Sequence, residues 1–375
     1  CQKNRRTNRV RNGLARCARR ITRTLGANRP SVGDIAHKSA LTKLLTIVIP
    51  NWNGLHHLQS CLPALTRQTF KAFGIIVVDN GSTDDSCKYI SEFYPQVEIL
   101  RFSENTGFAV ACNAGIDATD SPWVVLLNND TEPEPDWLQK LIDASNIYGE
   151  EVAAYASCMI QMDHPELLDD SGDILTWRGG TFKRGHGQHV DYFTRNEEVM
   201  MPCAGAAMYR RHTLKALGGF DPLFFAYLED VDLGLRLCLS GKHCIYVADA
   251  RVLHAGHGSK MATDKYIFLT ARNRILLFLK NIPIILLLRH AGALTYGWLF
   301  YYFAHHCAWM YLRGTFAVLK YLPHIIRSRS KLRGQRQLTL PQINNLLKHQ
   351  WPEITLTALM RMRIREIYNR YRGLS

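Results

Sequence analysis

Short apolar runs alternate with segments of helical periodicity along the first third of the chain. "KLLTIVIPNWNG" reads as a buried strand ending at Pro50, and "HLQSCLPALTRQTF" as a helix. "GIIVVDNGSTDDS" is a second strand that ends at Asp79 and turns at Asn80-Gly81, followed by a short helix in "SCKYISEFYP". "VEILRFSENTGFA" and "WVVLLNND" supply third and fourth strands, with the helix "AVACNAGIDATD" between them. Continuous apolar strands alternating with helices predict a mostly parallel sheet in an α/β fold. In such sheets ligands bind beyond the C-terminal strand ends. Pro50-Asn51, Asp79-Asn80-Gly81, Asn105 and Asn128-Asn129-Asp130 all fall there.

The pattern is less regular afterwards. Residues 152–200 are mixed, and "GGTFKRGHGQHVDY" reads as a loop or hairpin. "MPCAGAAMYRRHTLKALGGFD" predicts a strand, then a helix that stops at Gly218-Gly219. In "FAYLEDVDLGLRLCLSGK", Val231, Leu235 and Leu239 share one helical face and Gly241 ends the helix. Glu229, Asp230 and Asp232 crowd its first turn. "CIYVADARVLHAGHGS" is a last strand leading into a His-Gly loop.

From about residue 265 the chain becomes apolar and aromatic, with Lys and Arg spaced through it. The longest uncharged run, His290 to Leu312, is about the length of a membrane span. Three arrangements satisfy it: amphipathic helices in the membrane interface, which the spacing of Lys and Arg favours, one span, or a buried helical pair. The division expected is a basic tail over 1–43, an α/β domain over 44–262, and a helical membrane-associating region with a basic tail over 263–375.

Charge sharpens that division. The net charge is +14 over 375 residues, but residues 1–40 carry 11 Lys/Arg against Asp34 alone. Residues 324–375 carry 11 against Glu353 and Glu366, so the body between is mildly acidic. Basic ends suit an anionic membrane surface or, at the N-terminus, a solvated tail. No zinc-finger spacing or aromatic RNA-binding signature accompanies them, so nucleic acid is not the expected partner. The ten cysteines are scattered singly without a CxxC pair, which fits a reducing compartment and excludes a zinc or thioredoxin-type motif. The chain begins at Cys1, as a fragment or processed form would, and its basic start is not followed by the apolar core of a secretory signal.

"TIVIPNWNG", "IIVVDNGSTDDS", "RFSENTGFAVACNAGI", "VVLLNNDTEPEPDWL", "GGFDPLFFAYLEDVDLGLRL" and "VLHAGHGS" occur in that order. Together they resemble the inverting family-2 glycosyltransferases, especially a rhamnosyltransferase-like bacterial branch, over residues 44–260. The resemblance implies a GT-A fold, a Rossmann-like nucleotide-diphospho-sugar transferase domain. It also implies a donor such as dTDP-rhamnose or a UDP-hexose and a glycan or lipid-linked acceptor in cell-surface polysaccharide synthesis. The expected place is the cytoplasmic face of the inner or plasma membrane, peripheral or with one span.

Sugar transfer requires a neutralised diphosphate leaving group and a base for the acceptor hydroxyl. The resemblance places the family's Asp-x-Asp element on Asn128-Asn129-Asp130, leaving Asp130 as its one carboxylate. It places a metal-binding histidine at His254, with His257 as a substitute. Mn²⁺ or Mg²⁺ suits such a site, and imidazole favours Mn²⁺. Asp230 becomes the general base, its ionised form favoured at a helix start, with Glu229 orienting acceptor or loop. Asp232 fits a structural pairing with Arg236 instead. Pro50, Asn51, Asp79 and Gly81 are expected at base and ribose. Asn105, Gly107 and Asn113 are expected as pocket wall, Asn128 and Asn129 near ribose or phosphate, and Gly205 and Ala206 at the acceptor floor. A nucleotidyltransferase is the alternative enzyme, but "IPNWNGLHHL" lacks its positively charged phosphate loop. A non-catalytic glycan-binding protein that kept the fold is the other alternative.

Overall fold

The computed structural model describes residues 43–256, 261–305 and 307–371. The basic tail expected over 1–43 therefore falls, apart from Lys43, outside the described residues, as does His257.

The expected strand–helix alternation is present. β1 (Leu45–Asn51), α1 (Leu55–Thr66), β2 (Phe73–Asp79), α2 (Ser86–Phe93), β3 (Glu98–Arg101), α3 (Phe108–Ala118) and β4 (Trp123–Leu127) follow one another. Then come β5 (Thr131–Pro133), α4 (Trp137–Ile147), β6 (Val152–Gln161), β7 (Leu168–Asp170), and a hairpin of β8 (Asp173–Leu175) and β9 (Thr181–Lys183). β10 (Glu197–Val199), β11 (Ala206–Arg210), α5 (Arg211–Leu217), α6 (Glu229–Leu239) and β12 (His243–His254) complete the sheet region.

One sheet runs in the order β10-β12-β6-β11-β4-β1-β2-β3, with β5 on β12 and β7 on β6. β4, β1, β2 and β3 are parallel neighbours, and β6 and β12 form the longest parallel ladder. β11 lies antiparallel between those two parallel blocks. Alternate residues of the central strands feed two cores, because successive strand side chains point to opposite faces. Val48, Ile76, Val78, Val124 and Leu126 pack with α3, α5 and α6. Ile47, Ile49, Val77, Val125 and Leu127 pack with α1 and α4.

β6 is the strand that the pattern hides. "VAAYASCMIQ" is buried along nearly its whole length but rich in Ala and Ser, which have low strand propensity. Its place beside β12 and β11 supplies the pairing that its composition does not advertise.

Beyond β12 come α7 (Thr263–Asn281), α8 (Ile284–Arg289), α9 (Ala291–Ala304), α10 (Ala308–Ala317), α11 (Leu322–Gln335), α12 (Leu340–Leu346) and α13 (Leu356–Tyr371). The uncharged run from His290 to Leu312 is split between α9 and α10, with His305 in an extended conformation between them. No helix among the described residues is long and apolar enough to cross a membrane. α7 packs on the α/β body instead: Leu276, Leu277 and Phe278 meet Val231, Leu235 and Leu239 of α6. That is the face whose helical spacing the sequence displays.

α7 also buries charge. Lys280 bonds Asp232 at 2.8 Å and Asp221 at 2.7 Å, Asn281 bonds Asp232 at 2.8 Å, and Arg236 meets Asp232 at 2.9 Å. Asp232 is thus structural, as its spacing to Arg236 predicts. Burial opposes ionisation of Asp221 and Asp232, but Lys280 outweighs it and holds both carboxyls down, Asp221 to about 2.

Candidate active site

The C-terminal ends of β1, β2 and β4 open into a cleft of about 640 Å³. Pro50, Asn51, Asn105, Gly107, Asn128, Asn129, Asp130, Gly205, Glu229, Asp230 and His254 all line it.

The donor-side loops are held by a chain of amides. Asn129 donates to Asn51 Oδ1 at 2.7 Å, and Asn51 donates to Ser82 Oγ at 3.3 Å. A Cβ on Gly54 would lie 2.1 Å from Asn129 Nδ2, so this packing needs glycine there. Asn80 bonds Asn105, Thr106 and the Gly107 carbonyl, shaping the loop after β3. Gly107 has φ +93, and a Cβ there would sit 2.5 Å from the Phe225 carbonyl. The close approach expected at Gly107 is therefore to the loop that precedes Asp230.

Four expected contacts lie elsewhere. Asn113 does not reach the cleft wall: its amide donates to Phe220 O and accepts from Phe220 N, pinning the turn after α5. Ala206 is inside β11 and buried in the core below the floor that Gly205 forms. Gly81 serves its turn, with φ +77, and a Cβ there would meet the Glu104 backbone at 2.5 Å. Asp79 is buried beneath the cleft, with Oδ2 3.8 Å from Arg101 Nε and Oδ1 without a hydrogen-bond partner. In each case strand and turn packing claims the position.

Asp130 and His254 converge: Oδ1 and Nε2 lie 3.5 Å apart, both largely buried. β5 pairs with β12 so that Thr131 lies opposite His254, which brings the two side chains together. His254 Nδ1 bonds Asp169 Oδ2 at 2.8 Å, and Lys183 Nζ holds the same carboxylate at 2.8 Å. Burial alone would lower the His254 pKa, but Asp130 and Asp169 outweigh it and hold it up at about 9. Burial likewise opposes ionisation of Asp169, yet His254 and Lys183 bring it to about 2.

This arrangement fits a divalent cation. A carboxylate and an imidazole nitrogen face each other in a cleft, and the second ring nitrogen is fixed by a carboxylate. That is the usual support of a metal-binding histidine. Asp169, Lys183 and Asp173 lie outside the residues to which the sequence patterns point. Asp169-Asp170 and Asp173 surround Ser171-Gly172, a polar turn of the kind read at the other strand ends. Asp170, Asp173 and Cys203 bring their ligand atoms within 4.8 Å of one another. Burial pushes both carboxyls up, Asp170 to about 7.

Asp230 lies in the first turn of α6, with Oδ1 accepting from Val231 N at 2.8 Å and Oδ2 from Ala204 N at 3.4 Å. Burial raises its pKa, while those backbone donors moderate the effect. Glu229 is more deeply buried, its Oε2 has no partner, and burial with the nearby Asp230 charge holds it well above the usual range. The preceding loop is strained: Phe225, Tyr227 and Leu228 have φ of 63, 69 and 66. Asn273 of α7 donates to the carbonyls of Phe224, Ala226 and Tyr227 at 2.7–2.9 Å, and Arg272 bonds those of Leu223 and Phe224.

A parallel sheet with an antiparallel insert, and carboxylates at its strand ends, is the GT-A layout. A solved structure of GalNAc-T7 with UDP, GalNAc and Mn²⁺ has the same fold, with TM-score 0.50 and 14% identity over 71% of this chain and 58% of that one. Residues 46–218 match the family model "Glycosyl transferase family 2". Among curated relatives, an N-acetylglucosaminyl-diphospho-decaprenol L-rhamnosyltransferase of Mycobacterium tuberculosis is 27% identical, covering 62% of this chain and 86% of its own length. A PGL/p-HBAD biosynthesis glycosyltransferase of Mycobacterium bovis is 26% identical, covering 52% of this chain and 70% of its own. The chain is a glycosyltransferase.

Proposed function

We propose that this enzyme inverts the anomeric centre while moving a sugar, rhamnose from dTDP-rhamnose or a hexose from a UDP-hexose, onto a lipid-linked acceptor hydroxyl in cell-surface glycan synthesis. The observation that carries the reading is the shared cleft: the strand-end amides, the Asp130–His254 pair and Asp230 all line it. Asp230 is the general base. Partial burial strengthens it as a base, and two backbone N–H groups fix its direction. Glu229, buried beside Asp230, supports the loop. Asp130 and His254 would hold Mn²⁺ or Mg²⁺, which supplies charge neutralisation on the departing diphosphate. Asn51, Asn128 and Asn129 face ribose and phosphate.

The acceptor assignment draws on the mycobacterial relative, whose name pairs a rhamnosyl transfer with a diphospho-decaprenol-linked sugar. The C-terminal helices support a membrane surface. Ile284, Ile285, Leu288, Trp309, Phe316, Leu319 and Ile326 are all largely exposed, and Arg289, Arg313, Lys320 and Arg327 are interspersed with them. Binding is thus peripheral, on the cytoplasmic face where nucleotide sugars are made.

Purified enzyme incubated with dTDP-rhamnose or UDP-hexoses and a polyprenyl-diphosphate sugar should form a product of inverted configuration, read by NMR. Asp230→Asn should lower kcat by about 10²–10⁴-fold with nucleotide affinity unchanged. A retained configuration, or normal turnover in that variant, overturns the mechanism.

A further inference from the structure

Arg274 stands on α7 one turn beyond Thr270 and two beyond Tyr266, and all three line the catalytic cleft. It also lines a second cavity of about 300 Å³, walled by Phe278, Leu279, Leu287, Leu294, Trp298 and Tyr311. The two spaces therefore share one guanidinium. Its Nε and Nη1 are buried without a hydrogen-bond partner, and among the described residues no carboxylate pairs with it. Tyr301 stacks on it at 3.4 Å, which orients the charge without neutralising it. Burying an arginine with two idle donors is costly unless a ligand completes it. Arg178 lines the same cavity, held over the rings of Tyr296 and Trp351.

The cavity's apolar walls continue outward. Leu287 faces it from α8, and its neighbours Ile284, Ile285 and Leu288 are exposed on that short helix. The sequence of surfaces from inside to outside is thus base-lined cleft, buried guanidinium, apolar cavity and exposed apolar helix. That order matches a molecule with a sugar, a phosphate group and a hydrocarbon chain in series.

We propose that Arg274 binds the lipid-proximal phosphate of an isoprenoid-diphosphate-linked acceptor, and that the second cavity takes the first isoprenoid units. Guanidinium is suited to the task because its planar donors engage phosphate oxygens in pairs. Arg178 supplies further positive charge beside the chain. The proposal rests on the lipid-linked acceptor reading above and assigns the residues that distinguish such a lipid from a soluble glycan.

The test is calorimetric titration of the full chain, saturated with nucleoside diphosphate so that the donor side is filled. The probes are farnesyl diphosphate, inorganic diphosphate and farnesol. Farnesyl diphosphate should bind at least tenfold more tightly than either of the others. Arg274→Met should weaken it tenfold or more, Arg274→Lys less, and Thr295→Trp, which fills the cavity from α9, should weaken it while nucleotide binding stays normal. Equal binding of inorganic and farnesyl diphosphate would sink the cavity assignment. Loss of nucleotide affinity in Arg274→Met, in parallel with farnesyl diphosphate, would assign Arg274 to the donor and overturn the proposal. Sugar transfer to soluble glycans without any farnesyl diphosphate binding would also overturn it, while leaving the transferase reading intact.

Discussion

The two sides of the cleft are built differently. The donor side is made of strand ends and the turns that follow them, so each polar group sits next to the apolar run that positions it. Asn51 ends β1, Asn80 follows β2, and Asn128-Asn129-Asp130 follow β4. The groups opposite them lean more on residues far away in sequence, although Asp230 also accepts from its neighbour Val231. Asp230 depends on a strained loop held by Asn273, and α6 is anchored through Lys280; between the two sides, His254 of the metal pair is oriented by Asp169. The donor side spreads its cross-links over several amides, Asn51, Asn80 and Asn129, whereas the other side concentrates dependence on a few buried side chains of α7 and the β7–β9 region.

The largest expected effect breaks the acceptor side at its foundation. Lys280→Met leaves Asp232 and Asp221 buried without their shared cation, although Arg236 still faces Asp232 and His324 faces Asp221 at 3.0 Å. Removing one partner of a buried network costs about 3–5 kcal/mol, so the melting temperature should fall clearly. The pH dependence should reverse as well. In the parent, the two carboxyls have folded pKa values below their unfolded values near 4. Their contribution is therefore present above about pH 4 and is lost as pH falls towards about 2. Without Lys280 the same carboxyls prefer to be protonated, so acidification through that window should spare or raise stability. Melting curves of both proteins from pH 5 to pH 2.5 decide it, and parallel curves would mean that Lys280 is not the dominant partner.

A smaller effect tests whether the metal pair itself is long-range. Asp169→Asn keeps the shape but removes the charge that fixes the His254 ring. Mn²⁺ affinity, measured by titration in the presence of nucleoside diphosphate, should drop about 10–100-fold. Asp130→Ala should abolish it, and Asn128→Ala, on the local side of the comparison, should weaken it only in part. Unchanged Mn²⁺ affinity in Asp169→Asn would reduce that carboxylate to a packing partner of Lys183.

This asymmetry also governs what is legible in the sequence. The strands β1 to β4, their helices and Asp130, His254 and Asp230 are visible because an apolar period and the polar stop beside it are both local signals. Family resemblance adds the roles. Asn113 misleads because a polar residue within a helix looks the same whether it faces a ligand or the Phe220 backbone 107 residues on. β6 is hidden by its alanines. Asp169, Lys183, Asn273 and Arg274 carry no local mark, since their meaning arises only when the hairpin and α7 fold over the cleft. The uncharged run from His290 is legible as apolar but not as two helices, because its length alone fits a membrane span equally well.

The smallest expected effect is the most discriminating. Asn273 spends one amide nitrogen on three carbonyls of a loop that has three non-glycine residues at positive φ. Such conformations cost about 1–3 kcal/mol each and persist only where surrounding contacts over-determine them. Arg272 would still hold Leu223 and Phe224 in Asn273→Ala, so the chain should fold, but the segment from Ala226 to Leu228 would be free to relax. Asp230 begins the next turn, and small displacements of a base are expensive in rate. Turnover should therefore fall about tenfold at a temperature well below melting, with Mn²⁺ and nucleotide affinities unchanged, because the donor side does not touch that amide. If turnover and melting temperature fell together, and turnover recovered on cooling, Asn273 would be a stability residue only. If nucleotide affinity fell instead, the separation of the two sides would fail at Gly107, where the donor loop rests on Phe225.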